Sequence, residues 1–182
     1  MIRAAQRQDV ERMLEIYAPY VRETAISLEF DPPTLEVFLA RFERVTRRFP
    51  WLVWEEDGRV LGYAYADVAL ERAAYQWDAD MSVYVDRDAR HGGIGSALYD
   101  CLEALMLKLG YRNLYALVTS ANEPSKRFHE KRGYRLLGVL EKSGYKFDRW
   151  WDVSWYGLRL GGDEAPEGSP KVFHPDMLQG WQ

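Results

Sequence analysis

The sequence predicts one mixed α/β domain, and three observations predict it. Asp57-Gly58 sits between two strand-like runs, Trp51 to Glu56 and Val60 to Val68, which is a hairpin signal. An alternating run from Gln76 to Val85 leads into a Gly-rich turn, Arg90-His91-Gly92-Gly93-Ile94-Gly95-Ser96, and then into a helical stripe. Segments of helix period and strand period follow one another along the chain with no internal repeat.

Each element follows from a local pattern. Ile2 to Ala4 reads as a short strand. Val10, Met13, Leu14 and Tyr17 share one helix face, and that helix is expected to stop near Pro19. Asp31-Pro32-Pro33-Thr34 reads as a turn and helix start, with Leu35, Phe38, Leu39 and Phe42 as the stripe of a helix ending before Pro50. In the third strand, Trp77, Ala79, Met81, Val83 and Val85 fall on one face. Gln76, Asp78, Asp80, Ser82 and Tyr84 fall on the other. Ile94, Leu98, Leu102, Leu105, Met106 and Leu109 make the next helix, closed by Gly110. Leu114 to Thr119 is a fourth core strand, and Asn122 caps a helix with Pro124 in its first turn and Gly133 past its end. Leu136 to Leu140 and Trp150 to Leu160 are the final strands, turning around Gly144. Residues 1–160 form the domain. Residues 161–182 read as a linker and tail, because Gly161-Gly162, Pro166, Gly168 and Pro170 cluster there, and the apolar residues beyond are placed to dock on the domain or on a partner.

Composition excludes several function classes. A net charge of −4 leaves no basic footprint for nucleic acid. No apolar run approaches the ~20 residues that span a bilayer, and the charged Met1 to Val10 segment lacks the core of a signal peptide. Cys101, the single cysteine, falls on the buried side of its helix, so an inert thiol and a cytoplasmic location are expected. With no Cys/His cluster, no metal is expected.

The most informative segment is the strand, the Gly-rich turn and the helix that follows. Glycines permit positive φ and let a ligand approach bare backbone. The helix start presents unpaired N–H groups to a phosphate or pyrophosphate. The turn is not a P-loop, because no Gly-Lys-Ser/Thr follows. Gly93 and Gly95 give only half of the dinucleotide pattern G-x-G-x-x-G. A plain tight turn fits the spacing as well.

Arg90-x-x-Gly93-x-Gly95 resembles the acetyl-CoA pyrophosphate loop of the GNAT (Gcn5-related) N-acetyltransferases, written Q/R-x-x-G-x-G/A. Pro50-Trp51-Leu52-Val53, Tyr75-Gln76-Trp77, Ser82-Val83-Tyr84-Val85, Gly93 to Tyr99, Asn122-Glu123-Pro124-Ser125, His129-Glu130, Gly133-Tyr134 and Trp151-Asp152-Val153 resemble its phosphinothricin acetyltransferase-like branch, over about residues 1–160.

The resemblance implies a splayed sheet of six to seven strands with about four helices, and acetyl-CoA held in the splay. It places the pantetheine along Val83, Tyr84 and Val85 and the pyrophosphate at Arg90, His91, Gly92, Gly93, Ile94, Gly95 and Ser96, with Asn122 and Ser125 near the thiol end. Main-chain donors suit both parts. Asp80 stands where the branch usually carries the glutamate that serves as base, and a side chain one methylene shorter points to a water relay. His129 stands where many relatives carry a tyrosine facing the sulfur, and is the candidate acid. A backbone N–H near Val83 is the oxyanion donor. The implied acceptor is a small-molecule primary amine, such as phosphinothricin or methionine sulfone or sulfoximine. Arg72 would grip its carboxylate, and Phe30, Tyr75 and Trp77 would wall its pocket. Leu70, Ala73 and Asp80 depart from that pattern. A polyamine, an antibiotic, a protein N-terminus or a module without turnover therefore stay open. A homodimer through the aromatic-rich C-terminal strands is expected.

Overall fold

A computed structural model describes residues 1–89 and 92–181. The Arg90 and His91 assignments lie outside the described residues. The chain builds a mixed sheet with helices on both faces. The elements are β1 (Ile2–Ala4), α1 (Val10–Glu23), α2 (Leu35–Thr46), β2 (Trp51–Glu56), β3 (Arg59–Val68), β4 (Asp78–Val85), α3 (Ile94–Leu109), β5 (Asn113–Thr119), α4 (Glu123–Lys131), β6 (Arg135–Lys146) and β7 (Arg149–Arg159), joined by short 3-10 turns. The seven strands lie in the order β1-β2-β3-β4-β5-β7-β6.

Asp57 (φ 50°) and Gly58 (φ 74°) supply the two positive φ values that a two-residue hairpin turn needs between β2 and β3. Paired residues share a face. Trp51 opposes Tyr65, which opposes Ser82, and Tyr63 opposes Tyr84. On that face α1 packs through Tyr17 and Tyr20 onto Tyr84, and α2 packs through Phe38 and Phe42 onto Trp51. The opposite face carries Ala79, Met81, Val83 and Val85 under α3, whose Gly95 lies against the Val83 and Val85 side chains. Leu98, Cys101, Leu102, Leu105 and Met106 of α3 are buried, and α4 leans on it through Phe128 and His129.

Three boundaries differ from the sequence expectation. α1 runs through Pro19 to Glu23, because Tyr20 and Val21 extend its buried stripe for another turn. A proline costs an interior helix one N–H bond, and burial of that turn offsets the loss. β4 begins at Asp78, with Ala73–Tyr75 coiled ahead of it. The last hairpin turns at Phe147 (φ 53°) and Asp148 (φ 52°), not around Gly144, which lies inside β6.

Residues 161–174 carry no helix or strand. The tail nonetheless lies on the domain. The Lys171 N–H donates to the Leu109 carbonyl (2.8 Å), the Phe173 N–H donates to the Arg48 carbonyl (3.0 Å), and the Phe173 ring is buried in the common core.

Among the described residues β4 and β5 are the one parallel pair. They stay together only through Asp78–Asn113, Ala79–Leu114 and Asp80–Tyr115. From there Met81–Val85 and Ala116–Thr119 diverge. The sheet therefore opens as a wedge whose apex is Asp80.

Candidate active site

The wedge interior is lined by Met81 to Tyr84 of β4, Ala116 to Thr119 of β5, Ile26, Tyr99, Asn122, Ser125 and His129. It continues into a groove of about 420 Å3 along Val83, Val85, Gly93, Ile94, Gly95 and Ser96 on one side and Asn122, Ser125 and Phe128 on the other. Of the residues assigned to acetyl-CoA by resemblance, Val83, Tyr84, Val85, Gly93, Ile94, Gly95, Ser96, Asn122 and Ser125 thus line one continuous channel. Gly92 precedes it in the turn.

The local chemistry of that channel follows from the backbone. Gly93 takes φ 72° immediately before α3, which a side chain would resist, and no side chain caps the helix start. The first N–H groups of α3 therefore face the groove without an internal partner. On β4, the Val85 N–H points to the wedge side, where the Tyr20 hydroxyl accepts it at a long 3.4 Å and donates to the Val85 carbonyl at 2.6 Å. The period of two turns the Val83 N–H the same way. Across the wedge, Thr119 is buried, and its hydroxyl has no hydrogen-bond partner among the described residues. A buried orphan hydroxyl beside a strand edge suits a ligand with amide groups, such as pantetheine. The Asn122 side-chain oxygen accepts the Ser125 N–H (3.3 Å) and fixes the start of α4 at the wedge wall.

His129 is 3 % exposed and lies among Tyr99, Phe128, Tyr134 and Tyr156. Its Nδ1 is 2.8 Å from the Ser125 carbonyl, so Nδ1 carries the proton. Its Nε2 then accepts from the Tyr99 hydroxyl (3.1 Å). Burial holds the imidazole below its usual pKa, only partly opposed by the Ser125 carbonyl, and the ring is neutral near pH 7. Both nitrogens are engaged, and Tyr99 stands beside His129 in the wedge lining. The same burial raises the Tyr99 phenol well above 10.

Asp80 opens onto a separate cavity of about 200 Å3 on the α1/α2 face, lined also by Tyr65, Asp67, Tyr115, Leu117 and Trp155. Burial, reinforced by the charge of Asp67 directly opposite, pushes its carboxyl up to about 7, against a weak opposing bond from the Met81 backbone. Arg44 holds Asp67 by a two-pronged contact (2.9 and 2.6 Å). The Trp155 indole N–H is buried without a partner among the described residues. Leu117 lines both this cavity and the wedge, so the two meet at the apex.

The other acceptor residues named from the sequence do not line that cavity. Phe30 is 72 % exposed, Arg72 and Tyr75 are exposed on the turn before β4, and the Trp77 indole donates to the Gly168 carbonyl (2.9 Å). Asp78 accepts from the Asn113 amide (2.6 Å) and stands apart from the cavity. Tyr65, Asp67, Tyr115 and Trp155, which line the cavity with Asp80, were not singled out from the sequence. Their signal was strand register: Asp67 opposes Asp80, and Leu117 opposes Trp155. Cys101 is buried, and burial pushes its thiol up to about 12, outside nucleophilic use. Among the described residues no group of three or more His, Cys, Asp or Glu could hold a metal, and no helix is long and apolar enough to cross a membrane.

Residues 2–155 match the family described as acetyltransferase (GNAT) domain. The chain is 35 % identical over 155 residues to the phosphinothricin N-acetyltransferase of Streptomyces viridochromogenes, covering 85 % of each. It is 30 % identical to the L-methionine sulfoximine/L-methionine sulfone acetyltransferase of Salmonella typhimurium, covering 91 % of this chain and 98 % of that one. Its fold superposes with a TM-score of 0.88 on a GNAT superfamily phosphinothricin acetyltransferase from Sinorhizobium meliloti in complex with AcCoA, at 32 % identity and over 93 % and 94 % of the two chains. With the split sheet and its channel, these matches show that the chain belongs to the GNAT family, in its phosphinothricin N-acetyltransferase-like branch, as an acetyl-CoA-dependent N-acetyltransferase.

Proposed function

We propose that the protein acetylates the primary amine of a small amino-acid analogue of the phosphinothricin or methionine sulfone/sulfoximine type. The supporting observation is the meeting of two cavities at Leu117, one a channel with main-chain donors and the other an aromatic cavity holding a carboxylate that titrates near neutrality. Bound acetyl-CoA supplies an acetyl group activated as a thioester. Val83, Val85, Thr119, Asn122, Ser125 and the start of α3 hold it.

Asp80 takes the proton of the incoming ammonium, directly or through one water, and leaves the neutral amine in the cavity. Tyr65, Tyr115 and Trp155 wall that cavity. Arg72 waits on the outer turn for the acceptor's carboxylate. As the amine attacks the thioester carbonyl and the C–S bond breaks, the departing sulfur takes a proton from the Tyr99 hydroxyl, which neutral His129 orients from its Nε2, and the second proton shed by the nitrogen restores the phenol. Residues 1–160 carry the activity and residues 161–182 brace it. A cytoplasmic location suits the lone unpaired thiol and is checked by cell fractionation.

A thiol-release assay with acetyl-CoA tests the reading against amino-acid sulfones, sulfoximines and phosphinates, polyamines and short peptides. The amino-acid analogues are the expected acceptors. Arg72→Ala should raise their KM about tenfold, the scale of one lost charged hydrogen bond, and leave amines without a carboxylate unaffected. Turnover confined to polyamines or peptides would overturn the acceptor class.

The β6–β7 hairpin leaves Leu136, Leu137, Val139, Leu140, Phe147 and Trp150 exposed. Exposed apolar side chains gathered on one hairpin suit an interface between copies. We propose a homodimer through it, with a dimeric mass by light scattering at micromolar concentration as the expected result and a monomeric mass as the contrary one.

A further inference from the structure

The open side of the wedge is crossed by a strap. Residues 24–30, between α1 and α2, carry Ile26 into the lining of both the wedge and the groove. The strap belongs to the N-terminal half of the molecule, and its anchor comes from the far edge of the sheet. Lys146, the last residue of β6, is 2 % exposed, and its ammonium donates to the carbonyls of Val21 (2.6 Å) and Ser27 (2.7 Å). Val21 lies in the last turn of α1, where carbonyls have no helical N–H to accept. A cation there also suits the negative end of the helix. Ser27 lies in the strap itself.

Two further observations tie the same elements. Leu28 of the strap packs so close over Gly144 of β6 that a Cβ there would sit 2.5 Å from the Leu28 Cδ1. The Trp151 indole donates to the Lys146 carbonyl (3.0 Å), which fixes the backbone from which the ammonium reaches. Within the strap, the Tyr17 hydroxyl meets the Ser27 hydroxyl (2.7 Å), and the Ile26 N–H donates to the Thr24 hydroxyl (3.1 Å). A buried ammonium is tolerated only where its protons are bonded, and here the bonds run to the strap and to the helix end that launches it. None of these groups touches the Asp80 cavity, so acid–base work does not explain them.

We propose that Lys146 is a positioning residue for acyl transfer: by tying the strap to β6 across the mouth of the wedge, it holds Ile26 as the wall that restricts the acyl group to a short chain. The proposal rests on the reading of the wedge as the acyl-CoA site. The wedge interior is small, about 70 Å3, and Ile26 is the strap residue that closes it. Released, the strap would swing with Ile26, and the wedge would admit longer acyl groups while holding the CoA ester less well.

Lys146→Met keeps the length and removes the donors. It should raise KM for acetyl-CoA several-fold with kcat within about twofold, and raise the butyryl-to-acetyl ratio of kcat/KM about tenfold, the scale of discrimination by one apolar wall. Lys146→Arg, which restores two donors, should return the ratio towards wild type. Gly144→Ala leaves the ammonium in place but forces Leu28 away, and should relax acyl preference in the same direction. In both Lys146→Met and Gly144→Ala, amides 24–30 should exchange with deuterium faster, with α3 and β4 unchanged. A wild type inert toward every acyl-CoA would defeat the reading of the wedge. With an active wild type, unchanged acyl preference in the folded variants, or unchanged exchange in 24–30, overturns the clamp alone.

Discussion

Asp80→Asn is expected to lower kcat/KM by about 10²–10³-fold, the range of a lost general base, while making the protein more stable at alkaline pH. Both effects have one cause. The Asp80 carboxyl is buried at the wedge apex opposite Asp67, and its pKa rises from the usual 3.8 to about 7. As a base it must be ionised, so wild-type kcat/KM should climb with pH to a plateau above about pH 7. The residual activity of the asparagine variant should lose that limb.

The stability effect has a definite sign. A carboxyl whose folded pKa lies above its unfolded pKa binds more protons in the folded state. Its contribution to stability is therefore most favourable below the unfolded value and is lost as pH rises towards the folded value. Asparagine cannot ionise, so its advantage over Asp80 should grow between about pH 4 and pH 7 and stay level above. The measurement is Tm for both proteins from pH 4 to pH 9 beside the pH–rate profile. The asparagine variant's Tm should gain on that of wild type between pH 4 and pH 7 and keep that gain at pH 8. An asparagine variant within threefold of wild-type kcat/KM at every pH would remove Asp80 from the chemistry. An equal Tm at pH 8 would show that the burial is relieved some other way.

Much of the channel proposed for acetyl-CoA has a local sequence signature. Asp57-Gly58 declares a hairpin by the φ values it permits, and Gly93 and Gly110 bracket α3 in the same way. Asn122 announces α4 by capping it. The channel then follows from a strand, a turn and two helix starts within one stretch of chain. The cavity proposed for the acceptor is non-local. Tyr65, Asp67, Tyr115 and Trp155 come from three strands far apart in sequence, and only pairing register brings them to Asp80. The hairpin at Phe147-Asp148 was hidden for a different reason: Asp148 suits a turn, but Phe147 does not, and the paired strands around it hold it at positive φ. Lys146 carries no local signal of its role, because only the fold lays the Val21 and Ser27 carbonyls over it.

Trp51→Ala should be the most damaging single core change, and it should reach the active site from the opposite side of the ring it supports. Trp51 is fully buried at the start of β2, between α2 and the sheet. Phe38 and Phe42 meet its edge at 5.9 and 5.4 Å, Tyr63 stacks beside it at 5.9 Å, and Tyr65 stacks flat against it at 4.1 Å and 14°. Removing a buried indole leaves a cavity that rigid strands cannot close, at a cost of about 3–5 kcal/mol. For a chain of this length that lowers Tm by roughly 10 °C. Tyr65 is the link to function, because its ring rests on Trp51 and also lines the Asp80 cavity. Without the indole, Tyr65 has room to sink into the vacated space and widen the acceptor cavity. The acetyl-CoA channel lies across the sheet from Trp51 and should keep its affinity. The variant, assayed below its own Tm, should therefore show a raised KM for the acceptor and an unchanged KM for acetyl-CoA. Trp51→Phe, which refills most of the space, should recover much of both stability and acceptor affinity. A fall in Tm with both KM values unmoved would separate the aromatic stack from the acceptor cavity, and a rise in the acetyl-CoA KM alone would place its influence on the wrong face of the sheet.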